Sequence, residues 1–334
     1  MISVVVPIYN EQELIERFHA AVARSLDTTG EDWEVVYVND GSRDKSLELL
    51  RGLQDHDDRV VVVNLSRNWG HMGAISAGLQ TASGDAVILM DGDFQDPPEV
   101  LPELINSWRD GAQVVVAVRR SRQESRKLLS FLFPLFYKVL GALSDYPIPL
   151  DAGIFGLMDR QAVNAVNGLR ERNRYLPGLR AWVGYRNAIV YYDRQDRLDG
   201  DGKLSFISRI KYAMDAITSF SYKPLRLCFG LSCMSLFIVA ALAFSALFVS
   251  SSALSVGLGI ASAVFLVGSM LLFCLGVLGE YLGRVYDEVR NRPISLINEV
   301  HYGKEAAASP SRPFLGEVAA FEETEPVIAF KMRA

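Results

Sequence analysis

Asp91 and Asp93 stand one residue apart in Met90-Asp91-Gly92-Asp93-Phe94-Gln95-Asp96-Pro97-Pro98, directly after the apolar run Ala86-Val87-Ile88-Leu89. Two carboxylates at the end of a buried strand repel each other and lose hydration, a cost offset when a divalent cation sits between them and a polyanionic ligand. The chemistry this spacing points to is a metal-bound diphosphate. Asp-Gly is also common turn chemistry, so the tripeptide alone fits a plain turn equally well. Two more polar clusters, Tyr9-Asn10-Glu11 and Asn39-Asp40-Gly41-Ser42, follow apolar runs in the same way.

The elements that must position these residues alternate between strand and helix patterns. Ser3-Val4-Val5-Val6, Glu34-Val35-Val36-Tyr37-Val38, Val60-Val61-Val62-Val63, Ala86-Val87-Ile88-Leu89 and Val114-Val115-Val116 are short β-rich runs. Helix-period segments lie between them near 11–26, 43–55, 71–82 and 98–109. This order predicts a doubly wound, mostly parallel α/β sheet, in which ligands bind beyond the carboxyl ends of the strands. All three polar clusters then fall on one rim, which favours the metal site over the turn. No Gly-x-Gly-x-x-Gly opens the first helix and no Gly-Lys-Ser/Thr loop occurs, which counts against a dinucleotide dehydrogenase and a phosphate-loop NTPase.

Half of the 334 residues are hydrophobic, enough for one large α/β domain and an apolar appendage. The stretches Leu227 to Val249 and Val256 to Gly279 carry no charge, and each is long enough to cross a hydrocarbon core of about 30 Å as a helix. They read as two transmembrane helices. Lys211, Lys223 and Arg226 precede the first and Arg284, Arg290 and Arg292 follow the second, whereas the link between them is uncharged. By the positive-inside rule both termini and the α/β domain face the cytoplasm. No signal peptide is visible. A net charge of −5 argues against nucleic acid as a partner. Cys228, Cys233 and Cys274 all lie in the spans, so neither a disulfide framework nor a thiolate zinc site is suggested. Ser125 to Leu143 and Phe206 to Phe220 mix apolar and basic residues and suit helices in the membrane interface, with Pro134 kinking or starting the first. The tail from Lys304 looks weakly ordered.

Taken together, Val5-Val6-Pro7-Ile8-Tyr9-Asn10-Glu11, Val38-Asn39-Asp40-Gly41-Ser42, Leu65-Ser66-Arg67-Asn68-Trp69-Gly70-His71, the Asp91 to Glu99 segment, Ser125 to Ser130, Asp151-Ala152-Gly153, Ile217 to Ser221 and Leu278 to Arg284 resemble one family. It is the family 2 inverting glycosyltransferases of GT-A fold, in the polyprenyl-phosphate group. The chain is most similar to bacterial bactoprenol glucosyltransferases, with dolichol-phosphate mannose synthase a more distant relative. The resemblance implies that Pro7, Tyr9, Glu11, Asp40 and Asp91 hold the nucleotide, and that Asp91, Asp93 and Gln95 surround Mg²⁺ or Mn²⁺, which prefer such hard oxygen donors. It assigns the lipid phosphate to Arg119, Arg126 and Ser130, and closure over the diphosphate to Arg197 and Lys203 in a glycine-bearing loop. Guanidinium forks suit phosphate oxygens. Arg120 and Arg122 read as charge at the membrane surface. Asp151 matches the family's catalytic aspartate, with Asp93 beside the reacting diphosphate. His71, at a helix start, reads as structural. The chain departs from the family pattern at Gly202, Gly156 and Gly92, where relatives carry Ser or Thr, Arg, and Ala.

The implied reaction is transfer of a hexose, glucose from UDP-glucose as first choice, to a polyprenyl phosphate at the cytoplasmic face of a bacterial inner membrane. Mannose, aminoarabinose-type and N-acetylhexosamine donors stay open. A phosphate monoester is largely dianionic near neutral pH, so Asp151 has an orienting role open to it as well as that of a base. The expected organisation is a nucleotide-sugar half at 1–120, an acceptor half at 121–223, two spans within 224–282 and a cytoplasmic C-terminal helix and tail at 283–334. Relatives with two spans often assemble through them, which implies a homo-oligomer. A processive polysaccharide synthase would need more spans and a Gln-x-x-Arg-Trp motif, and a nucleotidyltransferase would leave the acceptor half unexplained. A non-enzymatic membrane-anchored nucleotide-sugar sensor is the remaining alternative, separated by an assay for transfer to lipid.

Overall fold

The computed structural model describes residues 1–120, 152–169, 171–172, 174–193, 223–246 and 253–303. Five valine-rich runs form the first strands: β1 (Ile2–Ile8), β2 (Trp33–Asn39), β3 (Val60–Leu65), β4 (Ala86–Leu89) and β5 (Val114–Arg119). β-branched side chains fit a pleated surface covered on both faces, which is why these runs are apolar at nearly every position. Between them lie α1 (Ile15–Asp27), α2 (Ser46–His56), α3 (His71–Thr81) and α4 (Leu101–Arg109), the last entered through a 3-10 turn at Pro98–Val100. Three further strands complete the sheet: β6 (Ala152–Asp159), β7 (Asn187–Tyr192) and β8 (Ile297–His301). The short helices α5 (Arg160–Gly168) and α6 (Leu176–Trp182) separate β6 from β7.

The eight strands run in the order β7-β5-β6-β4-β1-β2-β3-β8. Pairings of β1 with β2 and β4, β2 with β3, and β5 with β7 are parallel. Those of β4 with β6, β5 with β6, and β3 with β8 are antiparallel. The expected mostly parallel sheet is therefore a mixed one, because β6 runs against both of its neighbours and β8 closes an edge in reverse. Successive side chains point to opposite faces. Ile2, Val4, Val6 and Ile8 join Phe18, Val22, Leu50, Leu101 and Leu104 in one core layer. Val5, Val36, Val38 and Leu89 join Ala74, Ile75, Val163, Val166 and Leu179 in the other.

Two long helices follow, α7 (Lys223–Ala246) and α8 (Ala253–Val289). They coincide with the two expected apolar stretches, and α8 runs ten residues past the expected end at Gly279. Among the described residues one segment, Gly259–Val289, is long and apolar enough to cross a membrane, with a mean hydropathy of 2.4, and none of it is buried. The apolar part of α7 is the shorter Cys228–Ala241. Phe229, Phe237 and Phe265 face outward from these helices. The C-terminal part differs from expectation: instead of a helix and tail alone, the chain returns after α8 to pair β8 with β3. The segments at Ser125 to Leu143 and Phe206 to Phe220, and the tail from Lys304, lie outside the described residues.

Candidate active site

A cavity of about 330 Å³ opens beyond the carboxyl ends of β1, β2 and β4. Pro7, Tyr9 and Glu11 line it from β1 and the turn after it, Asp40 from β2, and Asp91, Gly92 and Asp93 from β4. The segment leading into α3 completes it with Asn68, Gly70 and His71. Strand order explains the convergence: β1 is paired with both β2 and β4, so residues leaving the three strands meet on one rim.

Asp40 is 4% exposed. Its carboxylate accepts the backbone N–H of Trp69 at 2.6 Å and that of Gly70 at 3.0 Å. Burial pushes its pKa up, against the pull of those two hydrogen bonds and of His71 and Arg67. Asp40 thus holds the turn that presents Asn68 and His71. Gly41 allows this close approach: its φ is +65°, and a Cβ there would stand 2.5 Å from the Asn68 nitrogen. On the other side of the rim, Asn10 and Glu11 donate their backbone N–H groups to Ser42 and Ser46. That stitching fixes the turn and leaves Tyr9 exposed at the cavity mouth.

His71 Nε2 lies 3.3 Å from Asp91 Oδ1. Asp93, 7% exposed, accepts the backbone N–H of Gln95 at 3.1 Å. Phe94 takes a φ of +60° and sets its ring edge-on to Phe18, and this turn carries Asp93 into the cavity wall. Behind it Asp96 is buried, and its Oδ1 accepts the Tyr192 hydroxyl at 2.7 Å. Burial first, then the charge of Asp91, pushes its carboxyl up to about 6, while the Tyr192 hydrogen bond opposes them. Arg119 Nε donates to the same hydroxyl at 3.2 Å.

Of the residues singled out in the sequence, Pro7, Tyr9, Glu11, Asp40, Asp91 and Asp93 share the cavity. Gln95 does not line it and contributes its backbone N–H to Asp93. Arg119 sits at the end of β5, joined to Asp96 through Tyr192. Arg126, Ser130, Asp151, Arg197 and Lys203 lie outside the described residues. Among the described residues no three of His, Cys, Asp and Glu converge as a ligand cluster. The carboxylates of Asp91 and Asp93 still fit a hard cation, because Mg²⁺ is commonly held by one or two carboxylates with substrate phosphates and water in its other positions.

Sequence reasoning set His71 aside, although its place directly after Gly70 at a helix start on the binding rim was a usable signal. It missed Asp96 and Tyr192, whose 96-residue separation gives no local signal. Two departures from the family pattern acquire physical reasons. A Cβ on Gly92 would come within 2.8 Å of the tip of Ile8. At Gly156, with φ +153°, a Cβ would meet Val115 O at 2.4 Å, and the Arg180 guanidinium lies 3.0 Å away.

The family described as Glycosyl transferase family 2 matches residues 3–166, and the GtrB C-terminal hairpin matches residues 223–285. The uncharacterized glycosyltransferase sll0501 of Synechocystis sp. is 42% identical over 304 residues, 90% of this chain and 95% of that one. The chain belongs to glycosyltransferase family 2. The uncharacterized glycosyltransferase YkcC of Bacillus subtilis is 39% identical over 91% of this chain and 94% of its own. The SfII prophage-derived bactoprenol glucosyl transferase of Shigella flexneri is 37% identical over 90% of this chain and 99% of its own. Every cavity-lining residue of this family 2 glycosyltransferase, from Pro7 to Asp93, falls inside the 3–166 match. Its mixed α/β sheet is GT-A-like, and the hairpin match spans α7 and most of α8.

Proposed function

We propose that this glycosyltransferase moves glucose from UDP-glucose to a polyprenyl phosphate, undecaprenyl phosphate in a bacterial membrane, with inversion at the anomeric carbon. One observation carries the reading: relatives named bactoprenol glucosyl transferase, at 36–37% identity, align over 97–99% of their own length, through both the sugar-transfer domain and the hairpin. The apolar helices α7 and α8 form a two-pass anchor with both termini and the catalytic domain on the cytoplasmic side, where lipid replaces water around their outward aromatic side chains. Residues 1–120 supply the donor site and 121–223 the acceptor site. The assembled enzyme is a homo-oligomer.

A phosphate oxygen of the acceptor attacks the anomeric carbon, the bond from that carbon to the diphosphate oxygen breaks, and UDP leaves with the electron pair. The second pKa of a phosphate monoester is about 6, so the nucleophile is already dianionic and needs no strong base. Asp151 orients acceptor and sugar. Tyr9 packs on the nucleoside and Glu11 and Asp40 accept from it, Asp40 with what capacity the Trp69 and Gly70 N–H groups leave. Asp91 and Asp93 would hold Mg²⁺ or Mn²⁺, and Gln95 orients Asp93 from behind. That ion, when bound, neutralises charge on the departing diphosphate. His71, whose Nε2 lies 3.3 Å from Asp91 Oδ1, steadies that carboxylate by its proximity. Repulsion between a dianionic acceptor and a diphosphate is severe in a dry site, and Arg119, with Arg126, Ser130, Arg197 and Lys203, counters it.

The test is direct. Full-length protein in nanodiscs is incubated with UDP-glucose, GDP-mannose, UDP-N-acetylglucosamine or a UDP-aminoarabinose-type donor, with Mg²⁺ and farnesyl phosphate. The expected product is a farnesyl phosphate enlarged by one hexose, formed from UDP-glucose and lost with EDTA. Transfer from GDP-mannose alone would refute the donor, and no lipid product from any donor would refute the acceptor.

A further inference from the structure

Tyr192 ends β7 and has no part in the reaction as set out above. Its hydroxyl donates to Asp96 Oδ1 at 2.7 Å and accepts from Arg119 Nε at 3.2 Å. The ring is buried and stands edge-on to Phe155, with centroids 5.3 Å apart and planes at 89°. Such packing fixes both ring torsions and aims the hydroxyl. The backbone adds a second clasp: Arg119 and Tyr192 are register partners, and the Arg120 N–H donates to the Tyr192 carbonyl at 2.9 Å.

Arg119 is therefore held by its inner nitrogen. Its Nη2 lies 3.8 Å from the point where a Cβ on Gly153 would stand, two residues after Asp151. A guanidinium anchored through Nε keeps its two terminal nitrogens as a fork, the geometry that grips a phosphate in two places. Anchoring it beforehand removes rotamer freedom that binding would otherwise have to freeze. The other end of the clasp is Asp96, three residues after Asp93 and close enough for the charges of Asp91 and Asp93 to act on it.

We propose that Tyr192 is a positioning residue whose single hydroxyl sets Arg119 at a fixed distance from the Asp91–Asp96 loop, so that the guanidinium fork is ready for the acceptor phosphate before the lipid arrives. This rests on the acceptor reading given under Proposed function. Donor-side carboxylates and acceptor-side arginine then move as one unit, and spacing between the two phosphate sites is built into the fold. Tyr192→Phe deletes the hydroxyl and keeps the ring against Phe155.

The experiment uses full-length protein, with UDP binding, farnesyl phosphate binding against farnesol as the phosphate-free control, and initial rates. In Tyr192→Phe, UDP affinity stays within about twofold, while KM for farnesyl phosphate rises about tenfold, the cost of one hydrogen bond to a charged group. In an Arg119→Lys background, where no Nε exists to be held, Tyr192→Phe adds less than about twofold. An unchanged farnesyl phosphate KM and affinity in Tyr192→Phe, or the full loss persisting in the Arg119→Lys background, overturns the proposal. If wild type gives no lipid product yet binds farnesyl phosphate better than farnesol, only the proposed reaction fails, and the titration still judges Tyr192. Wild type that does not distinguish the two lipids overturns both.

Discussion

Replacing Asp96 by Asn should stabilise the metal-free protein at neutral pH while impairing catalysis. Asp96 is buried and carries a carboxyl whose pKa rises from 3.8 to about 6, chiefly through desolvation and then through the Asp91 charge. A rise of roughly two units at 1.36 kcal/mol per unit means that the ionised group costs about 3 kcal/mol in the folded state. Between pH 4 and 6 the native state binds more protons than the unfolded one, so this group's stability is full below about pH 4 and lost as pH rises through 6. Asn keeps an oxygen for the Tyr192 hydroxyl and has no charge to desolvate. Its amide hydrogens need acceptors, so about 3 kcal/mol is the ceiling, worth roughly 6 °C at about 2 °C per kcal/mol for a domain of this size. Thermal unfolding in EDTA at pH 5 and pH 8 reads the effect. Asp96→Asn should unfold several degrees above wild type at pH 8 and about half as far above it at pH 5, and Asp91→Asn in the same background should narrow the gap. Equal midpoints at pH 8, or a gap that does not change with pH, would refute the electrostatic account.

Other perturbations separate the parts of the site. Asp91→Asn or Asp93→Asn should abolish turnover with every acceptor, measured as lipid product by mass, and excess Mn²⁺ should restore none of it. Arg126→Ala should chiefly raise KM for farnesyl phosphate and spare UDP affinity; equal loss of both would remove Arg126 from the acceptor site. Asp40→Asn turns an amide NH₂ toward one of two backbone donors, losing about 2 kcal/mol, so UDP affinity should fall at least tenfold by calorimetry. Gly41→Ala should lower the unfolding midpoint and UDP binding together, because its Cβ meets backbone, whereas Gly92→Ala meets the side-chain ends of Ile8 and Val6 and should lower the midpoint less than Gly41→Ala does.

The first five strands are legible in the sequence because each is a run of β-branched residues covered on both faces. β6 is harder to see: Gly153 and Gly156 interrupt it, and its reversal depends on pairing with β4 and β5. β7 is an edge strand with one face exposed, and β8 carries Asn298, Glu299 and His301, so neither has the continuous apolar signature. Their strand state comes from partners far away in sequence. The same division holds at the site. Asp91, Asp93, Asp40 and Glu11 announce themselves by following strands, whereas the Asp96–Tyr192–Arg119 joint exists only once β7 lies beside β5.

The return of the chain from α8 into β8 turns the sheet into a gauge of height. Arg290 to Leu296 link the two elements, seven residues that reach at most about 25 Å when extended. On the way, the Leu296 carbonyl accepts the Ser66 N–H, and Ile294 and Ser295 lie beside Gly73 of α3, the helix that begins at His71. The wall of the cavity is thus leashed to the end of the apolar helix. With that helix in a bilayer, the cavity that takes up a water-soluble sugar donor stays within one short leash of the membrane surface, where a lipid-borne phosphate is confined to search.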